Sequence, residues 1–223
     1  MSTKPDAAGF TIIPFKHGPF WNFSYLLICG ETREAAVIDP AWEVEAIIAG
    51  AAKYRARIGT VILTHGHSDH AHGTGDIVRA MGARVVIHEA ELPELLRTYD
   101  GHVDTVNEDG TLSVGRVPLD LLLTPGHSPG SLSVLAGGNL FTGDALHVGA
   151  LGRIGTEVGA VVGAWTTVDT VLRTLPGDTI IRPGHDAGPT PFSTLGEERG
   201  RLPALAATTF AQFVREVGRA GRR

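Results

Sequence analysis

The chain has 223 residues, of which 43% are hydrophobic and 19% charged, and its formal net charge is -5 at pH 7. This length suits one large domain with a substantial core, and the composition is ordinary for a soluble globular enzyme. The negative charge gives no broad attraction for nucleic acid or anionic lipid, and no window approaches the roughly eighteen apolar residues of a membrane span. We therefore expect neither a nucleic-acid partner nor a membrane partner.

The first half of the chain alternates short apolar runs with stretches in which apolar residues recur at helical spacing. The predicted strands span 10–15, 23–29, 35–38, 60–63 and 84–87. The predicted helices span 43–54, 73–81 and 89–98. Pro40 marks the end of the third strand because proline lacks the donor that a sheet ladder needs. Gly82 suits the C-terminal cap of the second helix.

The second half repeats this pattern. The predicted strands span 117–123, 131–135, 140–141 and 179–182. A helix is predicted over 160–175, and from about residue 193 the chain is predicted to be helical to about 218, with an interruption at Pro203. Two halves that each mix strands with helices suggest two sheets packed face to face with helices outside. We expect residues 1–223 to form a single domain.

The chain contains one cysteine, Cys29, so no intrachain disulfide is possible. Because Cys29 closes an apolar run, it is predicted to be a buried small residue. The N-terminus shows no apolar stretch of signal-peptide length. A reducing cytoplasm is the simplest location.

Polar residues that can bind metal follow four of the predicted strands. The densest segment is Thr64-His65-Gly66-His67-Ser68-Asp69-His70, directly after the strand 60–63. The other three segments are Thr124-Pro-Gly-His127, Thr142-Gly-Asp144 and Arg182-Pro-Gly-His185. Imidazole and carboxylate groups are good ligands for borderline divalent ions. Loops that deliver such ligands from the ends of buried strands indicate a rigid metal site.

The segment from Thr64 to His70 resembles the signature of the metallo-β-lactamase superfamily, and His127, Asp144 and His185 follow in that family's usual order. Within the superfamily the chain is most similar to the glyoxalase II branch, the hydroxyacylglutathione hydrolases. The supporting stretches are Thr124-Pro-Gly-His-Ser-Pro-Gly130, Phe141-Thr-Gly-Asp144, Gly152-Arg153 and Ser193-Thr-Leu-Gly-Glu-Glu-Arg199. The resemblance implies an α/β (α+β) fold, a four-layer αββα sandwich with metal bound at one edge.

The resemblance also implies two metal positions that share one carboxylate. His65, His67 and His127 would bind the first ion, Asp69, His70 and His185 the second, and Asp144 would bridge them. The implied cofactors are two Zn²⁺ ions, or a mixture of zinc, iron and manganese. A bridging carboxylate reduces the repulsion between two dications held roughly 3.5–4 Å apart.

The implied activity is hydrolysis by a metal-bound hydroxide, since zinc lowers the pKa of bound water to about 7. The expected substrate is a small molecule with a thioester or related ester-like bond, and Asp69 and Asp144 are the candidate catalytic carboxylates. Fewer than forty residues follow His185. This is too few for the helical domain with which glyoxalase II binds glutathione. Glutathione recognition therefore stays open. Arg153 is the candidate for an anionic substrate group, although a surface arginine explains it equally well.

Two alternatives remain. Persulfide dioxygenases share most of this signature but bind a single Fe²⁺, for which the matching positions are His65, His127 and Asp144. A non-catalytic metal-binding protein is the alternative from another class. The sequence favours the hydrolase and leaves the oligomeric state, including a homodimer, open. The remaining histidines are His17, His72, His88, His102 and His147, and among them His72 and His147 lie nearest to ligands along the chain.

Overall fold

Two six-stranded sheets dominate the computed structural model, which describes residues 9–220. The first sheet consists, in spatial order, of β1 (Phe10–His17), β2 (Asn22–Cys29), β3 (Glu34–Ile38), β4 (Arg57–Ile62), β5 (Arg84–His88) and β6 (Asp104–Val106). The second contains β7 (Gly110–Val114), β8 (Val117–Leu123), β9 (Leu132–Ala136), β10 (Asn139–Gly143), β13 (Ile180–Pro183) and β14 (Ser193–Thr194), in the order β14-β13-β10-β9-β8-β7. A small hairpin of β11 (Leu146–His147) and β12 (Ala150–Leu151) follows β10.

Eight α-helices lie within the described residues. They are α1 (Val44–Lys53), α2 (Ser68–Ala71), α3 (Thr74–Met81), α4 (Leu92–Leu95), α5 (Ala160–Thr167), α6 (Leu195–Arg201), α7 (Pro203–Ala206) and α8 (Phe210–Ala220). None of the helices within residues 9–220 combines the length and apolar character of a bilayer span.

Three buried apolar clusters separate four layers. The first cluster packs α1 and α3 on the first sheet, the second fills the space between the sheets, and the third packs α5 to α8 on the second sheet. Strand β2 shows the physical basis, because it is buried at every residue. Leu26 and Ile28 face the first cluster, whereas Tyr25 and Leu27 face the second, as the alternation of side chains along a strand requires. The predicted four-layer sandwich is confirmed.

Strand direction brings the loops with metal-binding residues to one edge of the sandwich. In the first sheet β3, β4 and β5 are parallel. In the second sheet β10 and β13 are parallel, and β8 runs the same way because both β8 and β10 are antiparallel to β9. Parallel strands end at the same sheet edge. The loops after β4, β8, β10 and β13 therefore converge.

The helices predicted over 89–98, 160–175 and 193–218 are shorter in the structure. The first is a 3₁₀ turn, Glu89–Glu91, followed by the four residues of α4. The second becomes π-helical after Thr167, over Val168–Leu172. Beyond residue 193 the chain first adds strand β14 and then breaks at Leu202, which is extended (φ -106°, ψ 107°) because a residue before proline avoids the α region.

Candidate metal centre

The loop after β4 carries four of the predicted ligands. His65 lies in a bend directly after the strand, and His67, whose backbone is extended, is the residue from which α2 begins. Asp69 and His70 belong to the first turn of that helix. Because the chain changes from extended to helical between the two pairs, it presents His65 and His67 to one position and Asp69 and His70 to another. The ligand pattern in the sequence thus arises from a loop that turns into a helix.

The first position is formed by three imidazoles. His67 Nδ1 lies 3.0 Å from His65 Nε2 and 3.0 Å from His127 Nε2. Two donors on one zinc ion, each about 2.0–2.2 Å from it, can lie at most about 4.4 Å apart. These separations fit a shared ion.

The second position is formed by two imidazoles and a carboxylate. His70 Nε2 lies 3.1 Å from His185 Nε2. Asp69 Oδ2 lies 3.4 Å from His185 Nε2 and 3.7 Å from His70 Nε2. The donor atoms of this set, like those of His65, His67 and His127, all lie within 4.8 Å of one another.

Asp144 lies between the two positions and presents one oxygen to each. Its Oδ2 is 3.6 Å from His127 Nε2, and its Oδ1 is 3.4 Å from both His70 Nε2 and His185 Nε2. Among the described residues, Oδ1 is buried without a hydrogen-bond partner. A buried carboxylate oxygen without a partner is costly unless it binds a cation. The chemistry of the donors and this oxygen both fit a pair of divalent ions.

The outward-facing nitrogens of four ligands are held by neighbouring groups. His65 Nδ1 is 3.0 Å from Thr64 Oγ1, and His70 Nδ1 is 3.1 Å from Asp39 Oδ2. His127 Nδ1 donates to the carbonyl oxygen of Arg153 (2.8 Å), and His185 Nδ1 donates to that of Phe20 (2.9 Å). Such contacts fix the tautomer and the ring orientation of a metal-binding histidine, because they leave the other nitrogen free for the ion.

Two further polar residues hold the ligand loops. Asn22 donates from Nδ2 to Asp69 Oδ2 (3.1 Å), which orients that carboxylate. Glu91 is 3% exposed, and its two carboxylate oxygens accept hydrogen bonds from Gly66 N (2.9 Å) and Gly130 N (2.7 Å). One buried side chain therefore ties the loop after β4 to the loop after β8.

Glycine is required where the loops approach the site. A Cβ on Gly184 would lie 2.6 Å from His70 Cε1 and 2.7 Å from Asp144 Oδ1. Gly143 has a positive φ of 47°, and its Cβ would meet the Thr64 side chain. Both glycines precede a ligand directly, and thus each allows its ligand to reach the centre.

Burial and charge divide the ligands into two groups. Burial lowers the pKa of His65 well below 6.5 and also lowers the pKa of His127. Burial would lower the pKa of His70 too, but the carboxylates of Asp144, Asp39 and Asp69 outweigh it and raise that pKa to about 9. The pKa of His185 is raised as well, since the contact with Asp144 outweighs burial. Before metal binds, His65 and His127 therefore favour the neutral form, whereas His70 and His185 favour the protonated form.

An open cavity of about 620 Å³ reaches the second position. It is lined by Pro19, Phe20, Trp21, Asp69, His147, His185 and Ala187. Phe20 and Trp21 are 61% and 62% exposed, so a small molecule that enters this cavity meets an apolar wall beside the metal-binding residues.

The structure brings all seven predicted ligands together. Arg153 lines a second cavity of about 830 Å³ together with Arg201 and Val217, and its carbonyl oxygen accepts a hydrogen bond from His127 Nδ1. Asp39, Asn22 and Glu91 were missed as parts of the site. Asp39 follows the end of β3 just as the histidine cluster follows β4, a signal that could have found it.

Comparisons with known proteins agree with this geometry. The model of a family described as the metallo-beta-lactamase superfamily matches residues 18–185. Mitochondrial persulfide dioxygenase ETHE1 of Homo sapiens is 34% identical over 203 residues, covering 88% of this chain and 76% of that protein. A hydroxyacylglutathione hydrolase of Polaromonas sp. is 33% identical over 171 residues, and the match covers 74% of this chain and 62% of the hydrolase. The crystal structure of ETHE1 from Myxococcus xanthus matches with a TM-score of 0.81 and 28% identity, covering 92% of this chain and 88% of that one.

Proposed function

The chain belongs to the metallo-beta-lactamase superfamily, a family of enzymes, and from this premise we propose that it is a metal-dependent hydrolase of thioesters or related ester-like bonds. The proposed cofactor is a pair of Zn²⁺ ions or a mixed pair that includes iron or manganese. The proposed substrate is a small molecule.

The observation that carries this proposal is the arrangement around Asp144. Oδ2 of Asp144 faces the set that contains His127, and Oδ1 faces the set that contains His70 and His185. A carboxylate with each oxygen directed at a separate group of donors suits two ions better than one. A protein that uses a single ion needs only one of these sets.

When bound, a pair of divalent ions supplies hydroxide at neutral pH and stabilises negative charge that develops on a carbonyl oxygen. Asp144 would hold both ions, and Asp69 would hold the second with its Oδ2 oriented by Asn22. Phe20 and Trp21 would exclude water from one side of the substrate. The side chain of Cys29 is buried in the cluster between the sheets. A nucleophilic thiol therefore plays no part in the proposed reaction.

The choice of a thioester is supported by the hydroxyacylglutathione hydrolase of Polaromonas sp., which is 33% identical to this chain. Arg153 remains a proposed contact for an anionic group of the substrate. A cytoplasmic location also remains a proposal.

A second candidate function is that of a persulfide dioxygenase. It is favoured by the 34% identity over 88% of this chain to the human enzyme. A single Fe²⁺ on His65, His127 and Asp144 would have two histidines and one carboxylate, the set used by non-haem iron oxygenases. Asp69, His70 and His185 would then bind no ion.

The decisive experiment measures metal content and two activities on protein purified without added metal. Thioester hydrolysis is one assay, and oxygen consumption with glutathione persulfide is the other. About two ions per chain with thioester turnover would support the hydrolase. One iron with oxygen uptake would replace the hydrolase with the dioxygenase. Full activity and full metal content in Asp144→Ala would exclude both.

A further inference from the structure

His147 points at the metal centre although it is not among the seven predicted ligands. It lies on β11, only three residues after Asp144, and its side chain is 14% exposed. The hairpin fixes its position, because His147 pairs with Ala150 and the carbonyl oxygen of Leu146 accepts a hydrogen bond from Thr142 Oγ1 (2.6 Å). It lines the open cavity together with Asp69 and His185.

Neither ring nitrogen of His147 forms a hydrogen bond within residues 9–220 that would explain the position of the ring. His147 Nδ1 is buried and has no hydrogen-bond partner among residues 9–220. His147 Nε2 lies 3.9 Å from Asp144 Oδ1, which is too far for a direct hydrogen bond. The ring stands edge-on to that of His185, with the centroids 5.7 Å apart. A structural role would require a partner that these nitrogens do not have.

The same separation is suitable for two atoms that bind one ion. Donors at about 2.0–2.2 Å from a zinc ion lie at most about 4.4 Å apart. Asp144 Oδ1 is thus surrounded by three imidazole nitrogens within that limit, those of His70 and His185 at 3.4 Å and that of His147 at 3.9 Å.

We propose that His147 is an additional metal ligand, whose Nε2 binds the ion held by Asp69, His70 and His185. The inference rests on the proposed function, because it requires that the second position be occupied. The extra nitrogen would strengthen binding of the second ion selectively, since His147 lies near Oδ1 of Asp144, whereas His127 of the first position lies near Oδ2. It would also reduce the number of sites on that ion that remain open to substrate.

The test compares chelator resistance of the parent protein, His147→Phe and His147→Ala after loading with excess Zn²⁺. Each protein is dialysed against increasing chelator, and its zinc content is measured by mass spectrometry. His147→Phe keeps the size of the ring without a donor, so agreement between the two variants assigns the effect to the lost nitrogen. The matched control is His72→Ala, because His72 is exposed and packs on Trp42, with ring centroids 4.8 Å apart.

The expected result is that one zinc leaves both His147 variants at about 10–100-fold lower chelator concentration than it leaves the parent, while the other zinc is retained equally. With Co²⁺ in place of zinc, the visible absorption of the second ion should also change in both variants. Identical chelator curves and spectra, with two ions in the parent, would overturn this inference alone. A parent that never binds a second ion would overturn both this inference and the proposed hydrolase.

Discussion

Asp39 Oδ2 lies 3.1 Å from His70 Nδ1, on the side of the imidazole opposite the nitrogen that faces His185. The same carboxylate accepts hydrogen bonds from the backbone N and the Oγ1 of Thr64, each at 2.7 Å. Asp39 therefore connects the end of β3 to the beginning of the ligand loop after β4. It holds the ring of one ligand, His70, and the backbone of Thr64, the residue that directly precedes the ligand His65.

Replacing this carboxylate should weaken the second metal position. In Asp39→Asn the amide keeps one acceptor for Thr64 N but loses the negative charge beside His70. We expect zinc affinity at the second position to fall by about 10–100-fold. Chelator competition on the zinc-loaded protein measures this effect. Asp76→Asn, which removes an exposed carboxylate paired with Arg79, is the control, and an equal response of the two variants would refute the role given to Asp39.

Glu91 should contribute to stability more than to metal binding. Glu91→Ala leaves Gly66 N and Gly130 N without their acceptor, and each unsatisfied buried donor costs about 1–3 kcal/mol. Glu91→Gln keeps one acceptor oxygen and should be less destabilised. Urea unfolding at a fixed zinc concentration gives the free energies. The control is Glu94→Gln, whose carboxylate pairs with Arg97 at the surface; a Glu91→Ala variant as stable as that control would contradict the account.

A single methyl group at Gly184 should disrupt the site. In Gly184→Ala the Cβ would lie 2.6 Å from His70 Cε1, so either the loop or the ring must move. A displacement of this kind near reacting groups costs on the order of 100-fold in rate. Gly200→Ala is the control, because Gly200 lies in α6 with nothing within 4 Å of the added atom. Turnover and zinc content should fall in the first variant and stay at the parental level in the second.

Metal binding should release a proton from His70 rather than from His65. The pKa of His70, raised to about 9, keeps this group protonated in the metal-free protein at neutral pH, whereas His65, with a lowered pKa, is already neutral. The stabilisation that protonated His70 gives the metal-free fold is complete below pH 6.5 and is lost as the pH rises through about 9.

Calorimetric titration with Zn²⁺ at about pH 7.5, in two buffers of different ionisation enthalpy, measures this release. We expect at least about one proton per chain, released with the ion that binds His70. Heats that do not depend on the buffer would show that His70 is neutral before metal binds.

The sequence predicted which side chains the structure brings together because the candidate ligands obey a local rule. His65, His127, Asp144 and His185 each follow a strand, and the ends of strands that run the same way meet at one sheet edge. Burial of β2 on both faces produces the continuous apolar run by which this strand was found. These features depend only on residues that are near one another in the chain.

The missed residues depend on contacts distant in sequence. Asn22 reaches Asp69 across 47 positions, and Glu91 reaches Gly130 across 39. His147 was recognised as close to a ligand in sequence, but its orientation comes from the hairpin that β11 forms with β12, and strands of two residues are too short to produce a sequence pattern. The cavity that Arg153 lines likewise includes Val217 of α8, which is distant in sequence.

The central claim is that seven side chains bind two ions that share Asp144. Anomalous diffraction from crystals of the zinc-loaded protein tests it most directly. We predict two zinc peaks roughly 3.5–4 Å apart, each bonded to a different oxygen of Asp144. A single peak on His65, His127 and Asp144 at full zinc loading, or peaks away from Asp144, would contradict the account.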